Sequence, residues 1–389
     1  HQEARRQRQM CIRDSTSSLP RSAVVLGAGI AGIALTEALS RRGIGVTVLD
    51  GANGICAEAS GNPAAVVMPY LTRKPAPTSE FYLACFSYFL QFLSYLAREQ
   101  YDTGWRETGS LQLLRRDTLR HLHSELPRLD YAPTLARAVG ESEASDIAGI
   151  RVRGPAIHYP CAGWLPPNKL AETLLRLSAK YATKPNLIFA TKAASLQRAN
   201  QTWKVLDDNA REICNTELLF LTCGTGIKSL APWLDRDLFH TAGQLCYPAI
   251  SNSTQKLKAI IHAGHYITPA CTAPTQNTHV VGASYLHDES EFQYDPDTST
   301  DMCEELSAWL PAANINTEQL SGRMSIRVVS RDRLPILGQA NNIYFSGAHA
   351  SRGVLSSLLG AELIAAEVCN EPLPLPTQLV NSTTPRRFC

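Results

Sequence analysis

The chain lacks a marked excess of either charge, and its cysteines do not form a metal-binding pattern. Its 389 residues include 37 basic and 35 acidic side chains, so the formal net charge is only +2. This balance does not require a nucleic-acid partner, and it does not exclude one, because a basic face can exist within a neutral total. The 11 cysteines are scattered and never spaced as C-x-x-C. We therefore expect free thiols in a reducing cytoplasm and no metal site.

The sequence also lacks an apolar run long enough to span a bilayer. The nearest candidate, residues 81–96, is interrupted by Ser87, Gln91 and Ser94, so a partly buried helix is the better interpretation. The first twenty residues are basic and polar, without the apolar centre of a secretory signal. We expect residues 1–20 to be a disordered leader and the protein to have no membrane partner.

The composition is that of a folded protein, and the length of the chain predicts two domains. Apolar residues make up 44% of the chain and charged residues 19%, which is an ordinary balance for a globular protein. A single compact core rarely extends to 389 residues. No region rich in proline or glycine separates two halves, so we expect the chain to cross between its domains more than once.

The start of the folded region has the pattern of a β-α-β unit. Residues 23–26 form a short apolar run, residues 30–42 have apolar positions at a helical period, and residues 46–49 predict a second strand. Between the first strand and the helix lies a G-x-G-x-x-G turn, and Asp50 closes the second strand. This combination is typical of a site for a dinucleotide.

Each part of this turn has a physical role in such a site. Gly27 allows the tight turn, Gly29 lets the backbone approach a pyrophosphate, and Gly32 lets the helix pack close to the sheet. The helix N-terminus offers free N–H groups to the phosphates, and Asp50 can bind the ribose hydroxyls. The predicted cofactor contacts of the turn are Gly27, Ala28, Gly29, Ile30, Ala31 and Gly32.

Three further segments decide between possible dinucleotides. Residues 57–71 read AEASGNPAAVVMPYL, residues 322–338 read GRMSIRVVSRDRLPILG, and residues 347–354 read GAHASRGV. Together they resemble the D-amino-acid-oxidase-like flavoproteins. More narrowly, the chain resembles the C-terminal oxidoreductase domain of the MnmC family, bifunctional enzymes that modify the wobble uridine of tRNA. Three positions depart from the family's motifs, because Glu58, Ala65 and Ala350 stand where the family has glycine.

The resemblance implies FAD as the cofactor and an α/β fold of two interleaved domains. A Rossmann-like FAD-binding domain would comprise residues 21–75, 150–240 and 322–389. Residues 76–149 and 241–321 would form an α+β substrate domain built on an antiparallel sheet. The further cofactor contacts that it implies are Ser60, Gly61, Asn62, Gly224, Gly347, Ser351, Arg352, Gly353 and Val354.

The resemblance also implies a reaction. Members of the family oxidatively remove the carboxymethyl group of 5-carboxymethylaminomethyl-(2-thio)uridine in tRNA, leaving 5-aminomethyl-(2-thio)uridine and glyoxylate. Arg327 matches the position that anchors the substrate carboxylate, and Tyr266 would be its partner through the hydroxyl. Other interpretations remain open for both residues: Arg327 as a structural ion pair with Asp332, and Tyr266 as a half-buried tyrosine of a sheet.

Two other functions remain open from the sequence. One is a small-molecule amine oxidase acting on glycine, sarcosine or a D-amino acid. The other is a non-catalytic flavoprotein that binds tRNA or a methyltransferase partner. A tRNA enzyme would need an open, basic mouth. The family often carries an upstream methyltransferase domain, but this chain has no second glycine-rich nucleotide motif, so methyl transfer is not predicted for it.

Overall fold

The structure, a computed structural model, describes residues 22–181, 183–271, 278–287 and 293–388. The predicted leader of residues 1–20 lies outside these ranges. The strands of the described chain, in order, are β1 (Ser22–Leu26), β2 (Gly45–Leu49), β3 (Ala65–Val67), β4 (Arg106–Glu107), β5 (Ser110–Leu113), β6 (Arg137–Val139), β7 (Ala156–Tyr159), β8 (Gly163–Leu165), β9 (Asn186–Ile188), β10 (Ser195–Ala199), β11 (Thr202–Leu206), β12 (Glu212–Thr216), β13 (Leu218–Leu221), β14 (Leu238–Cys246), β15 (Ile260–Ala263), β16 (His265–Ile267), β17 (Val281–Gly282), β18 (Leu286–His287), β19 (Gly322–Ser330), β20 (Ile336–Ala340) and β21 (Ile343–Gly347).

Helices connect and cover these strands. The α-helices are α1 (Ile30–Ser40), α2 (Pro77–Arg98), α3 (Asp117–Glu125), α4 (Glu141–Ala148), α5 (Pro167–Ser178), α6 (Gly226–Leu230), α7 (Pro296–Ser307), α8 (Gly353–Val368) and α9 (Thr377–Thr383). Short 3-10 helices include Ala59–Gly61 and Ala350–Arg352.

A six-stranded sheet forms the centre of the cofactor half, in the order β20-β21-β13-β1-β2-β9. β1 runs parallel to β2 and β13, as expected for a β-α-β unit, and β20 is antiparallel to β21. α1 is buried along its whole length, because α5 and α8 pack against it on one face of this sheet, and α2 packs in turn against α8. A helix that is apolar on all sides is stable only in such a covered position.

The second large sheet has nine strands and is mostly antiparallel. Its order is β18-β14-β17-β16-β15-β5-β7-β6, and β19 pairs with β14 along nine residues, from Leu238 opposite Ser330 to Cys246 opposite Gly322. The predicted fold class, an α/β flavoprotein fold with an antiparallel substrate sheet, agrees with this architecture.

The chain crosses between the two sheets several times. β1 and β2 lie in the parallel sheet, β5 to β7 contribute to the antiparallel sheet, and β13 returns to the parallel sheet. Two strands within the ranges predicted for the FAD-binding domain, β7 and β19, pair in the antiparallel sheet. We therefore propose the predicted division into two domains with these two strands counted in the substrate domain.

Candidate active site

The glycine turn packs tightly against the end of β13. Gly27 has a φ of +111°, and a Cβ atom there would lie 2.7 Å from the Cα of Cys223. A Cβ atom on Gly32 would lie 1.9 Å from the carbonyl oxygen of Gly27, so only glycine permits this contact between helix and turn. Gly29 is different, because only the Ser60 hydroxyl, at 3.3 Å, lies near its missing side chain. The turn is thus closed toward the sheet and leaves its backbone accessible at Gly29.

Asp50 is held beside this turn by backbone N–H groups. Its Oδ2 accepts a hydrogen bond from Ala28 N at 2.6 Å, and its Oδ1 accepts one from Ala52 N at 2.8 Å. Each carboxylate oxygen retains a second lone pair. Asp50 is therefore oriented at the end of β2 and keeps capacity to accept further hydrogen bonds, and its contact with a ribose stays a prediction.

The loop after Cys56 closes over the start of α1. Ile30 N donates to the Ser60 hydroxyl at 3.1 Å, so this predicted cofactor residue lies at the helix N-terminus. The Oδ1 atom of Asn62 and the indole N–H of Trp164 are buried without a hydrogen-bond partner among the described residues. Buried polar atoms are normally paired. The unpartnered acceptor of Asn62 lies in the loop whose Ser60 hydroxyl binds the start of α1, and this is the feature expected where a polar cofactor completes the structure.

The residues present therefore fit a bound dinucleotide. The turn at Gly29 and the N-terminus of α1 would hold the pyrophosphate, Asp50 the ribose, and the Ser60–Asn62 loop the region between phosphates and ring. Gly224 follows β13 with a φ of +53°, is exposed, and has open space where its side chain would be. Its contact with the dinucleotide stays a prediction.

The last predicted contacts lie where β21 leads into α8. Gly347 ends the strand, Ser351 is exposed in the 3-10 turn, and Gly353 begins the helix, followed by the buried Val354. Ala350, which replaces a family glycine, has a φ of +51°. Alanine thus adopts the left-handed backbone that glycine adopts readily.

Arg352 makes contacts that the sequence did not reveal. Its guanidinium lies over the rings of Tyr70 and Tyr82, at 4.5 Å and 5.0 Å from their centres. This side chain joins α8 to α2 by cation–π contacts. Its contact with the cofactor stays a prediction. The backbone of Arg352 at the start of α8 is the part that could make this contact.

His349 is held within the same turn by two serine hydroxyls. Its ring nitrogens lie 3.2 Å from Ser346 Oγ and 2.8 Å from Ser356 Oγ. Burial lowers the pKa of His349 to about 4. A neutral histidine with both nitrogens paired is a structural residue of the turn.

The two residues predicted to bind the substrate lie on one face of the antiparallel sheet. Arg327 is on β19 opposite Thr241, and its side chain extends across β14 over Gly243. There its Nη2 atom donates to the carbonyl oxygen of Ser284 at 3.0 Å. The guanidinium also lies 4.8 Å from the centre of the Tyr285 ring.

The alternative ion pair of Arg327 with Asp332 is not present. Asp332 instead binds Arg387, with nitrogen–oxygen distances of 2.6 Å and 3.0 Å. Arg327 has no salt bridge to any carboxylate of the described part of the chain. A half-buried guanidinium held by one carbonyl retains donors for an anionic ligand.

Tyr266 lies on the same face as Arg327. Tyr266 pairs with Gly282 on β17, and Gly282 pairs with Leu245 on β14. Leu245 pairs in turn with Arg323 on β19. Arg327 lies four residues after Arg323, and side chains alternate along a strand, so its side chain is on the same face. Burial raises the pKa of Tyr266 above its usual range, and the nearby charge of Arg327 opposes this shift. The structure thus brings the two predicted substrate residues within electrostatic reach of each other.

Two residues of this face were missed from the sequence. Arg323 donates to the carbonyl oxygen of Glu58 at 2.8 Å and lies against Gly61, so it ties the cofactor loop to β19. Gly243 provides the space that Arg327 occupies, since a Cβ atom there would lie 1.8 Å from Arg327 Nη2. Arg323 lies within the segment of residues 322–338, but nothing in the sequence indicates its contact with Glu58, and Gly243 lies outside the three segments. Only the tertiary structure reveals these two contacts.

Within the described ranges, no group of three or more histidine, cysteine, aspartate or glutamate residues is placed to hold a metal ion. Likewise, no helix of the described residues is both long and apolar enough to cross a membrane.

Comparison with known families identifies the chain. The family of FAD-dependent oxidoreductases named DAO matches residues 22–367. The chain belongs to this family. As a DAO-family protein it is an oxidoreductase and its cofactor is FAD, which confirms the predicted family resemblance and cofactor.

Curated relatives match nearly the whole DAO-family chain. Proteins described as "tRNA 5-methylaminomethyl-2-thiouridine biosynthesis bifunctional protein MnmC" are 28% identical over 95% of the chain in Pseudomonas entomophila and 30% identical over 95% in Stutzerimonas stutzeri. The match covers 60% and 59% of those two proteins. The chain therefore spans about three fifths of the length of the curated relatives that it matches.

Solved structures of amine oxidases share the fold. Glycine oxidase from Bacillus cereus superposes with a TM-score of 0.75 at 18% identity, covering 92% of this chain and 99% of that one. Iminodiacetate oxidase from a Chelativorans species gives a TM-score of 0.75 at 21% identity, covering 93% and 98%. These likenesses confirm the predicted fold class of the DAO-family chain.

Proposed function

We propose that this oxidoreductase acts on the wobble uridine of tRNA. It would remove the carboxymethyl group of 5-carboxymethylaminomethyl-(2-thio)uridine and release 5-aminomethyl-(2-thio)uridine and glyoxylate. The observation that carries this proposal is the similarity to MnmC proteins over 95% of the chain. It is supported by Arg327, a guanidinium without a salt bridge to any described carboxylate, on the sheet face that also contacts the cofactor loop.

The chemistry asks for positioning more than for acid–base catalysis. Bound FAD supplies a two-electron acceptor for oxidation of the substrate's C–N bond. Arg327 would hold the substrate carboxylate through two parallel N–H donors, which suits a planar guanidinium. Tyr266 would offer its hydroxyl, which stays protonated because burial raises its pKa. Fixing the carboxylate places the adjacent carbon for reaction, and such orientation supplies much of the rate.

The steps balance as an amine oxidation. The carbon between amine and carboxylate loses a hydride, for which bound FAD would be the acceptor, the nitrogen loses its proton to solvent, and the amine becomes an imine. Water adds to this imine carbon and the C–N bond breaks, which gives glyoxylate and the aminomethyl group. Molecular oxygen is the proposed final electron acceptor. The amine must be neutral at the start, and the Arg327 cation nearby disfavours its protonated form.

The partners follow from this proposal. The macromolecular partner is tRNA, a methyltransferase domain upstream or on a separate chain provides the companion activity, and the enzyme works in the cytoplasm. Exposed cations that suit an RNA backbone include Arg151, Arg153 and Arg333, whereas Arg331 is paired with Asp237 at 3.3 Å. Phosphate contacts of this kind add affinity without reading sequence.

The deciding experiment is anaerobic reduction of the purified flavoprotein. Addition of tRNA that carries 5-carboxymethylaminomethyluridine should bleach the flavin absorbance, and glyoxylate should form in equal amount. The matched control is the same tRNA with an unmodified wobble uridine, which should leave the absorbance unchanged.

Two results would replace the proposal with the alternatives. Bleaching by free glycine or sarcosine, with no response to the modified tRNA, would identify a small-molecule amine oxidase. A flavin that no substrate of either class reduces, in a protein that still binds tRNA, would identify a non-catalytic flavoprotein.

A further inference from the structure

We propose that Tyr285 is the specificity residue on which the uracil ring of the substrate stacks. The inference rests on the proposed function and adds to it the group that recognises the base. It starts from an exposed aromatic side chain, which the amine-oxidation chemistry does not use.

Tyr285 is the most exposed large hydrophobic side chain of the described residues, at 58% of its full exposure. It follows Ser284, whose carbonyl oxygen accepts the hydrogen bond from Arg327. One face of its ring covers the Arg327 guanidinium, with 4.8 Å between the guanidinium carbon and the ring centre. No other aromatic ring in the described part of the chain stacks on it. The outer face of the ring is thus turned to solvent directly beside the proposed carboxylate anchor.

The length of the substrate arm fits this arrangement. Four single bonds separate the carboxylate carbon from C5 of the uracil, so the two are at most about 5 Å apart. A carboxylate bound to Arg327 therefore brings the base close to Tyr285. A ring stacked on the outer face of Tyr285 would lie about 3.5–4 Å beyond it.

An exposed aromatic ring such as Tyr285 suits a base that has been unstacked from its neighbouring nucleotides. A nucleotide that leaves its neighbours loses stacking, and an aromatic side chain at the active site can replace it. Free glycine or sarcosine has the carboxylate and the amine but no ring, so it would bind Arg327 without using Tyr285. The exposed ring therefore has a role for a nucleoside substrate and none for a small amino acid.

The test separates recognition of the base from recognition of the carboxylate. For Tyr285→Ala, we expect the KM for tRNA carrying 5-carboxymethylaminomethyluridine to rise about tenfold or more, the typical effect of losing one base–aromatic stack. The inhibition constant of sarcosine, which lacks the base, should stay within about twofold, and flavin content should be unchanged. Tyr285→Phe keeps the ring and should restore the KM. Tyr95→Ala, which removes an exposed tyrosine from α2, is the matched control and should behave as wild type.

The contrary outcomes are distinct. An unchanged KM for Tyr285→Ala overturns the inference. An equal rise in the KM for tRNA and in the inhibition constant of sarcosine also overturns it, because Tyr285 would then act only by orienting Arg327. If the wild-type protein does not oxidise the modified tRNA at all, the proposed function itself fails, and this result is visible before any variant is made.

Discussion

The cofactor end and the substrate end of this site are built in opposite ways. At the cofactor end, Gly27, Gly32 and Asp50 lie within one β-α-β unit, and contacts to the backbone fix their positions. At the substrate end, Arg327 and Tyr266 come from strands that are distant in sequence, and side chains reach across neighbouring strands. Local backbone geometry determines the first end, and sheet pairing determines the second.

This difference predicts different failures. A side chain added at the cofactor end would clash with backbone atoms that cannot move. We therefore expect stability and flavin binding to be lost together. A side chain added at the substrate end would clash with the end of a flexible side chain, which can move. We therefore expect the protein to fold and to bind flavin, but to lose the proposed carboxylate anchor, Arg327. Substitutions of glycine by alanine at the two ends test this directly.

The largest effect is expected for Gly32→Ala. The added Cβ atom would lie 1.9 Å from the carbonyl oxygen of Gly27 and 2.6 Å from the Thr222 hydroxyl. Overpacking of this kind destabilises by about 1–3 kcal/mol or more. We expect most bound flavin to be lost and the urea midpoint to fall, measured by flavin absorbance per protein and by denaturation. Gly54→Ala, with no atom within 4 Å of its added Cβ, is the control and should keep its flavin.

A smaller but functional loss is expected for Arg327→Gln. Charged hydrogen bonds contribute about 1.5–3 kcal/mol each, so kcat/KM for the carboxylate substrate should fall roughly 10- to 100-fold or more. Flavin content should match that of wild type, because Arg327 has no part in the glycine turn. Arg211→Gln, at an exposed position of the β11–β12 hairpin, is the control. Normal anaerobic flavin bleaching by Arg327→Gln would show that the anchor is elsewhere.

Gly243→Ala sharpens the comparison further. Its Cβ atom would lie 1.8 Å from Arg327 Nη2, but the contact is with the end of a side chain, which can move. We expect flavin content and the urea midpoint to change little, while KM rises about tenfold, the cost of roughly one hydrogen bond to a charged group. If Gly243→Ala loses flavin as Gly32→Ala does, the two ends are not independent.

The smallest effect concerns pH and the substrate sheet. Burial lowers the pKa of His262, whose ring faces Tyr266 at 5.8 Å, to about 4. The ordinary value is 6.5, so between pH 6.5 and 4 the unfolded chain binds a proton that the folded chain does not. Stability should therefore decline as the pH falls through this window, by at most about 1.4 kcal/mol per pH unit for each such histidine.

His262→Phe isolates this contribution. The variant should lose less stability than wild type between pH 6.5 and pH 5, as measured by urea denaturation at both pH values. His158 and His349, whose pKa values burial also lowers to about 4, continue to contribute in the variant. Substitution of the exposed His121 by glutamine is the control. An identical pH dependence in His262→Phe and wild type would contradict the assignment.

Much of the fold could be predicted because its signals are local. The strand–turn–helix–strand unit follows from apolar runs and glycine positions, and the structure places α1 and β2 within two residues of their predicted bounds. The pairing of β14 with β19 was not predicted. Its two strands are about eighty residues apart, and no local period in either one specifies its partner. Arg323 and Gly243 were missed for the same reason.

The sequence by itself determined the cofactor end, because a dinucleotide turn depends on backbone angles that glycine alone allows and on an acidic residue at a fixed spacing. It also identified Arg327 and Tyr266 as candidates by resemblance. Only the tertiary structure decided that Asp332 pairs with Arg387 and not with Arg327. It also decided that the Arg327 side chain extends over Gly243 toward Ser284 and Tyr285. The reason is physical: contacts between side chains of distant strands depend on register, and register is set by the packing of the whole sheet.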